Sequence, residues 1–523
     1  MRRRTFLTGA AAAGAAALSS VGAACVPRPA PVYPPQSGVP FEGCGPFPAG
    51  LGSGDPLPDR VLVWTRVLPE LAGFADTDVR VEVARHPEFP ASSMVAELTA
   101  RAGPDTDHCV TVDVADLEPA TTYWYRFRAR GETSPVGRTR TAPDPADHRP
   151  VRIAAFSCQR LTHGWFNAHA DLAALAEDPA TDIDLVVCLG DYVYDTGYAD
   201  KVYVPGREDP IQRAVTLEEF RSKYRLYRAD PDLQAMHARF PVVHVFDNHD
   251  GLDGPGDPQA AGALAAFAEH LPVRFPEPGR IHRRLRWGGL VELFLTDQRS
   301  YRDPQVPESG VLGTSTEERP EILDPRRSIL GLAQRAWLLD GLRSSDAVWK
   351  VIGSQLMFWP WRSFPRLPWQ PRGAGVYLNM TQWDGYTGER LVVLDHLAAH
   401  DVRDTLVLSG DSHVFSCAQV SPDVDDPRSA PRVVEFGTGS VTSNNADESD
   451  YPTDDVTGPW LAAVNPHLRF FESERHGYVV VELDGTEARA EFRSPRTILR
   501  PDPATDVLAR FRVPRGTQTV VGA

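Results

Sequence analysis

Apolar and polar positions alternate with a period of two through the first part of the chain. Val61-Leu62-Val63-Trp64, Val79-Arg80-Val81-Glu82-Val83, Val110-Thr111-Val112-Asp113-Val114 and Tyr123-Trp124-Tyr125-Arg126-Phe127 are short runs separated by turn residues. That pattern predicts a small β-sandwich over 45–143. A Pro-rich linker, Thr141 to Pro150, follows. The texture then changes. Val151 to Phe156, Asp184 to Leu189, Val242 to Phe246, Val291 to Leu295, Val348 to Gly353 and Thr405 to Ser409 are nearly continuous apolar runs, the signature of strands buried on both faces. Segments 165–178, 217–227, 231–239, 260–270, 331–344 and 389–400 read as helices between them. Strands alternating with helices predict a layered α/β domain over 150–500. Two long connections, Thr196 to Pro210 and Trp359 to Tyr377, are of the kind that carry function.

Four of the strands end in polar clusters. The first ends in Ser157-Cys158-Gln159, and the second in Gly190-Asp191 with Tyr194. The third ends in Asp247-Asn248-His249-Asp250, and another in Ser409-Gly410-Asp411-Ser412-His413. If the sheet is parallel, all four meet at one edge, where ligands bind in open α/β sheets. A thiol, four carboxylates, an amide, a phenol and two imidazoles gathered there demand neutralisation. Two metal ions about 3.5–4 Å apart meet that demand, with Asp191 as the bridge, and such a pair can hold a phosphate and activate a water. Hard oxygen ligands beside a soft thiolate suggest two different ions. A phenolate with Cys158 favours trivalent iron, and Asp, Asn and carbonyl oxygens suit calcium, magnesium or manganese. Cys188, within the second strand, reads as core.

Composition removes other readings. The net charge of −16 argues against a nucleic-acid-binding surface. Lys201, Lys223 and Lys350 are the only lysines, and six scattered cysteines do not make a disulfide scaffold. Arg2-Arg3-Arg4-Thr5-Phe6-Leu7 precedes an Ala-rich apolar run from Gly9 to Val21, which reads as a removable export signal within the first 30 residues. Its Arg-Arg-x-Phe-Leu core resembles a twin-arginine (Tat) signal, implying the Tat translocase as an export partner. Gly22-Ala23-Ala24 matches a lipobox poorly, so cleavage near residue 24 is read in preference to a lipid anchor on Cys25. No further membrane span is read, and a monomer is expected.

Leu117-Glu118-Pro119-Ala120-Thr121-Thr122-Tyr123 resembles the tyrosine corner of fibronectin type III-like domains. The strand-end clusters resemble the metallophosphoesterase superfamily, and within it the PhoD-type alkaline phosphatases. Ser53-Gly-Asp-Pro56, Pro135-Val-Gly-Arg-Thr-Arg-Thr-Ala-Pro143, Phe156-Ser-Cys-Gln159, Gly190-Asp-Tyr-Val-Tyr194, Asp297-Gln-Arg-Ser-Tyr-Arg302, Trp383-Asp-Gly-Tyr386, Gly410-Asp-Ser-His413, Asn465-Pro-His467 and Gly477-Tyr478 carry the likeness. The resemblance implies a metallophosphoesterase sandwich, two sheets flanked by helices, behind the small β-domain. It implies a secreted enzyme hydrolysing phosphate monoesters or diesters with iron (Fe3+) and calcium (Ca2+). Cys158, Asp191, Tyr194 and His413 would surround iron; Asp191, Asn248 and Asp411 would serve calcium, or Mg2+ or Mn2+. Many family members carry Asp-Asp-His-Glu where this chain has Asp247-Asn248-His249-Asp250, so Asn248 bears on metal preference.

The resemblance also implies that His249 would be placed to protonate the leaving alkoxide, and Arg299 and Arg302 are phosphate-binding candidates or structural ion pairs. The expected reaction is in-line attack by a metal-bound hydroxide. A purple acid phosphatase shares Gly-Asp-x-x-Tyr, but Cys158 stands where it has a carboxylate, and its last motif differs from Gly410-Asp-Ser-His413. A non-catalytic envelope-binding protein stabilised by metal is the reading of another class; His249 beside every ligand argues against it. The arginines and aromatics of Trp359 to Tyr377 either shape the pocket or pack the loop.

Overall fold

The computed structural model describes residues 46–69, 75–197, 204–310, 313–445, 448 and 459–522. The export signal, Cys25, Cys44 and positions 198–203 of the Thr196–Pro210 loop lie outside the described residues.

The parallel runs form two sheets rather than one. In the first sheet the neighbours run Val242–His244, Leu185–Cys188, Val151–Phe156, then Tyr478–Leu483, Glu487–Pro495, Thr505–Pro514 and Val521–Gly522. The first three are parallel, with Val186 opposite both Val242 and Ala154, whereas Tyr478–Leu483 returns antiparallel to Val151–Phe156. The second sheet runs Arg283–Trp287, Val291–Leu295, Trp349–Ser354, Thr405–Ser409, Val433–Gly437, Phe415–Val420 and Leu468–Glu472. Its parallel middle is flanked by antiparallel edges. Thr405–Ser409 therefore belongs to the second sheet, and the edge where the four clusters meet is shared between sheets. The C-terminal antiparallel strands escape a reading based on α/β alternation because hairpin-type neighbours need no crossover helix.

Each central strand is apolar on both faces, and the two faces have different destinations. Val151, Ile153, Ala155, Leu185, Val187 and Leu189 pack between the sheets with Leu293, Leu295, Val351, Leu406 and Leu408. Ala154, Phe156, Val186 and Cys188 face the other way, onto Leu172, Phe220, Leu233, Met236 and Phe267 of the covering helices. Phe294, Ile352 and Val407 back the second sheet against Leu338, Leu342, Val393, Leu394 and Leu397. The result is a helix–sheet–sheet–helix stack, the α/β sandwich expected.

Residues 46–143 form two antiparallel sheets around Val61, Val63, Val79, Val81, Tyr123, Tyr125 and Phe127. The Glu118 backbone N–H donates to the Tyr123 hydroxyl at 2.9 Å, closing a tyrosine corner. Ser53-Gly-Asp-Pro56 is an interface device. Ser53 bridges Pro241 at the start of the first sheet's edge strand. A Cβ on Gly54 would lie 2.4 Å from the Pro272 carbonyl and 2.6 Å from that of Val242, so only glycine permits this approach. Asp55 is fully buried and takes both arms of Arg283, at 2.8 and 2.7 Å.

Two outcomes follow from these buried groups. Asp55→Ala leaves Arg283 buried and unpaired and is expected to lower unfolding stability by about 3–5 kcal/mol in urea titrations. His169 lies between the Phe156 and Phe166 rings and its Nε2 bonds Gln159 Oε1 at 2.6 Å. Burial pushes its pKa down to about 3, while the unfolded chain takes the proton near 6.5. Its contribution is complete above about pH 6.5 and is lost as pH falls towards 3. His169→Gln should therefore remove about 1.4 kcal/mol per pH unit of wild-type stability loss between pH 6 and 4, read from unfolding curves across pH.

Candidate metal centre

The loops that leave the strands are bent into left-handed backbone. Gly190 has φ +111°, and a Cβ there would lie 2.4 Å from the Asp247 Cβ. Cys158 (φ 58°), Asp191 (53°), Asp411 (58°) and His413 (56°) adopt positive φ although none is glycine. Such conformations cost about 1 kcal/mol or more apiece and concentrate where function holds them. Four of the six residues proposed as metal ligands are held this way.

The bends bring Cys158, Asp191 and His413 together, with one ligand atom from each lying within 4.8 Å of the others. His413 Nδ1 donates to the Asn444 carbonyl at 2.6 Å, which leaves the Nε2 lone pair free for a metal. Burial, then the charges of Asp191 and Asp411, push the Cys158 thiol well up. The Tyr194 hydroxyl donates to Asp191 Oδ2 at 3.0 Å and accepts from Ser443 Oγ at 2.5 Å. Burial, with Asp191 and Cys158, raises that phenol too. Without a cation the Cys158 thiol and the Tyr194 phenol hold their protons, and a bound cation would favour the loss of both.

Beside this cluster, Arg299 stands among the oxygens expected to serve the second ion. Its Nε donates to Asp247 Oδ1 at 2.5 Å and Nη1 to Asp253 Oδ1 at 3.1 Å. Nη2 donates to Asn248 Oδ1 at 3.1 Å and to Asp411 Oδ1 at 2.7 Å. The Arg299 side chain is almost fully buried. Burial works against its charge, but Asp247 and Asp411 outweigh it and raise the pKa further. Arg299 thus acts as a fixed counter-cation, with at least four of its five N–H groups already used. An Asp297 turn aims it: Asp297 Oδ1 accepts from the Arg299 and Ser300 amides at 3.2 and 2.9 Å. Charge compensation is still incomplete, because Asp247 Oδ2 is buried with no hydrogen-bond partner. An orphaned carboxylate oxygen beside Asn248 and Asp411 fits a hard divalent ion.

Arg302 differs from Arg299. Its Nη2 donates to Asp253 Oδ1 at 2.8 Å, while Nη1 is buried and unpartnered. The arginines of the Trp359–Tyr377 connection are all engaged: Arg362 with Asp425, Arg366 with Asp423 and Arg372 with Asp395. Trp359 and Trp361 are buried, whereas Trp369 is 76 % exposed.

His249 stacks on the Tyr194 ring, with centroids 4.3 Å apart. Its backbone N–H donates to Asp191 Oδ1 at 3.0 Å, and its Nδ1 bonds Asp195 Oδ1 at 2.9 Å. Nε2 is thereby presented, on a side chain 31 % exposed. Burial opposes protonation of this imidazole, but Asp191 and Asp195 prevail and raise its pKa.

Three residues support the centre in roles not read from the sequence. Asp195 fixes the His249 ring. Gln382 bonds Asp411 Oδ2 through Nε2 and accepts from the Met357 amide at 2.7 Å. Asp250, counted among the carboxylates needing a cation, instead accepts backbone N–H groups from Asp191 (2.9 Å), Val193 (3.0 Å) and Asp247 (3.0 Å). It ties two strand ends together. Asp195 and Asp250 left a trace in sequence, next to Tyr194 and His249 respectively, whereas Gln382 left none. A second Asp/Cys/His group, Asp107, Cys109 and His270, lies where the β-sandwich meets the helices. Its carboxylate already takes Arg66 and Arg225, so its charge calls for no metal.

The description "PhoD-like phosphatase" matches residues 153–492, and "PhoD-like phosphatase, N-terminal domain" matches residues 38–143. Alkaline phosphatase D of Bacillus subtilis (strain 168) is 31% identical over 493 residues, spanning 89% of this chain and 80% of that protein. A solved structure of PhoD superposes with a TM-score of 0.80 at 30% identity, covering 92% of this chain and 93% of the other. Purple acid phosphatase PPD1 from yellow lupin (Lupinus luteus) seeds gives a TM-score of 0.56 at 13% identity, covering 89% and 74%, a likeness of fold alone.

Gly190→Ala puts a Cβ both into a forbidden conformation and against Asp247. It is expected to remove about 2 kcal/mol or more of stability and to lower metal content, measured by denaturant unfolding and elemental analysis of the purified protein.

Proposed function

The chain belongs to the PhoD-like phosphatase family and is a phosphoric ester hydrolase, and from that premise we propose an exported enzyme that opens phosphate monoesters or diesters at an iron and calcium centre. The observation that carries this reading is the His249 imidazole, held by Asp195 and stacked on Tyr194, beside the Cys158, Asp191 and His413 cluster.

Cys158, Tyr194, Asp191 and His413 would hold trivalent iron, since thiolate, phenolate, carboxylate and imidazole together satisfy a high positive charge. Asp191, Asn248 and Asp411 would hold calcium, or magnesium or manganese in its place, and the orphaned Asp247 Oδ2 fits the same role. When bound, the ions supply Lewis acidity towards the phosphoryl oxygens and acidify a water for in-line attack. The chain's own residues do the rest. Asp195 fixes the tautomer of His249 so that Nε2 faces outward and delivers its proton to the departing alkoxide. Arg299 holds Asp247, Asn248 and Asp411 in place, and Arg302 turns its unpartnered Nη1 to a phosphoryl oxygen. Ser440 Oγ lies 3.0 Å from His476 Nδ1, but its hydroxyl donates to the Ser443 carbonyl at 2.5 Å, so it keeps its proton, which supports direct transfer to water.

The module over 45–143 acts as a brace for the catalytic layers over 150–500. Export by the twin-arginine route rests on Arg2 to Leu7, outside the described residues. Among the described residues no helix is long and apolar enough to cross a membrane.

Iron is tested by elemental analysis and a visible spectrum of purified enzyme. Charge transfer from Tyr194 or Cys158 to ferric iron should colour it, and a colourless, iron-free, active protein overturns the iron assignment. His249→Ala should keep its metal and lower turnover roughly 10²–10⁴-fold. Asp195→Asn should give a smaller fall in kcat with KM unchanged. Wild-type turnover in His249→Ala removes the proton-donor role.

A further inference from the structure

His163 has no part in the chemistry described so far. It ends the short turn Leu161–His163, five residues after Cys158, and its side chain is 1% exposed. Its Nδ1 accepts the Asn444 backbone N–H at 3.3 Å. That contact fixes the tautomer: the ring proton must sit on Nε2. Yet Nε2 is buried and has no hydrogen-bond partner. A buried N–H without an acceptor is a standing penalty that few native sites retain without reason.

Its location gives the reason. The same residue, Asn444, accepts His413 Nδ1 on its carbonyl at 2.6 Å, so one residue's main chain carries both imidazoles. Arg160, at the head of the same turn, lies 4.9 Å over the Tyr194 ring that supports His249. Its titratable neighbours are Arg160, His413, His476 and His249, two of them site residues. Burial, then the Arg160 guanidinium, hold the ring neutral, so Nε2–H is a donor that cannot also serve as the general acid.

We infer that His163 is a positioning residue whose Nε2–H donates to a non-bridging oxygen of the substrate phosphoryl group. The assignment rests on the phosphoesterase reading of the neighbouring centre. It gives that centre a neutral donor in addition to the cationic Arg302. The competing account is a buried water joining His163 Nε2 to Asn444 Oδ1, which is also buried without a partner.

Asparagine keeps an acceptor near the Nδ1 position but has nothing at Nε2, whereas glutamine keeps a donor near Nε2. The test compares metal-replete wild type, His163→Asn and His163→Gln. It measures orthophosphate affinity by calorimetry, orthophosphate inhibition of p-nitrophenyl phosphate hydrolysis, metal content and thermal midpoint. His163→Asn should bind orthophosphate roughly tenfold to a hundredfold more weakly, as loss of a hydrogen bond to a charged acceptor predicts, with metal content unchanged. His163→Gln should recover affinity to within about threefold of wild type. Wild-type phosphate affinity in His163→Asn, with a lowered midpoint, overturns the inference in favour of the water. If His163→Asn does not fold, a folded, metal-replete His163→Gln with affinity lowered tenfold overturns it equally. A wild type that binds orthophosphate but hydrolyses no ester refutes the phosphoesterase reading and leaves the calorimetric test of His163 standing.

Discussion

The structure depends on one electrostatic problem: several acids are buried together at the edge shared by two sheets. Asp191, Asp247 and the Cys158 thiol are buried, with Asp411 partly so beside them, all within a few residues of strands that are apolar on both faces. Elsewhere the protein meets buried charge in two other ways. Asp55, Asp107 and Asp384 take guanidinium groups, from Arg283, from Arg66 and Arg225, and from Arg390. Glu435 takes the Phe358 and Trp359 amides and the Ser409 hydroxyl, at 2.8, 2.6 and 2.6 Å. At the centre neither device suffices. Arg299 supplies one positive charge, Asp250 spends its own oxygens on backbone N–H groups, and Asp247 still has an unsatisfied oxygen. An internal deficit of positive charge is what makes a metal centre more than a cluster of motifs.

Rigidity is the second requirement. Positive φ at Cys158, Asp191, Asp411 and His413 points their side chains inward from loops rather than along strands. Such backbone persists only if its surroundings over-determine it. Asp250 does so for the second and third strand ends, and Gly190 for the close approach of Asp247. The Ser443 and Thr442 amides, both donating to the Cys158 carbonyl, tie the first strand end to the loop that carries Asn444. The β-sandwich adds a brace through Asp55 and Arg283. In a chain with three lysines, Lys223 is fully buried, 2.6 Å from both Asp209 and the Ile211 carbonyl. It anchors the connection that follows Asp195, its compact ammonium shared between a carboxylate and a carbonyl.

Much of this was legible in the residues themselves. Continuous apolar runs identify strands such as Val151–Phe156 and Thr405–Ser409 because burial on both faces leaves no polar position to tolerate. Gly190-Asp191 and Gly410-Asp411 mark strand ends, the first glycine needed for left-handed backbone and the second for close approach to Ser157. Local chemistry dictated which residue types stand at those ends, and hence the kind of chemistry. Only the tertiary structure decided their partners. It placed Thr405–Ser409 in a second sheet, gave Asp250 to backbone amides, filled Arg299 with carboxylates, and paired Asp195 with His249. It also left His163 Nε2 and Arg302 Nη1 without acceptors. A sequence records what a side chain is able to bond. Which bond it makes depends on distances between segments far apart in the chain, and those are set by how the two sheets pack.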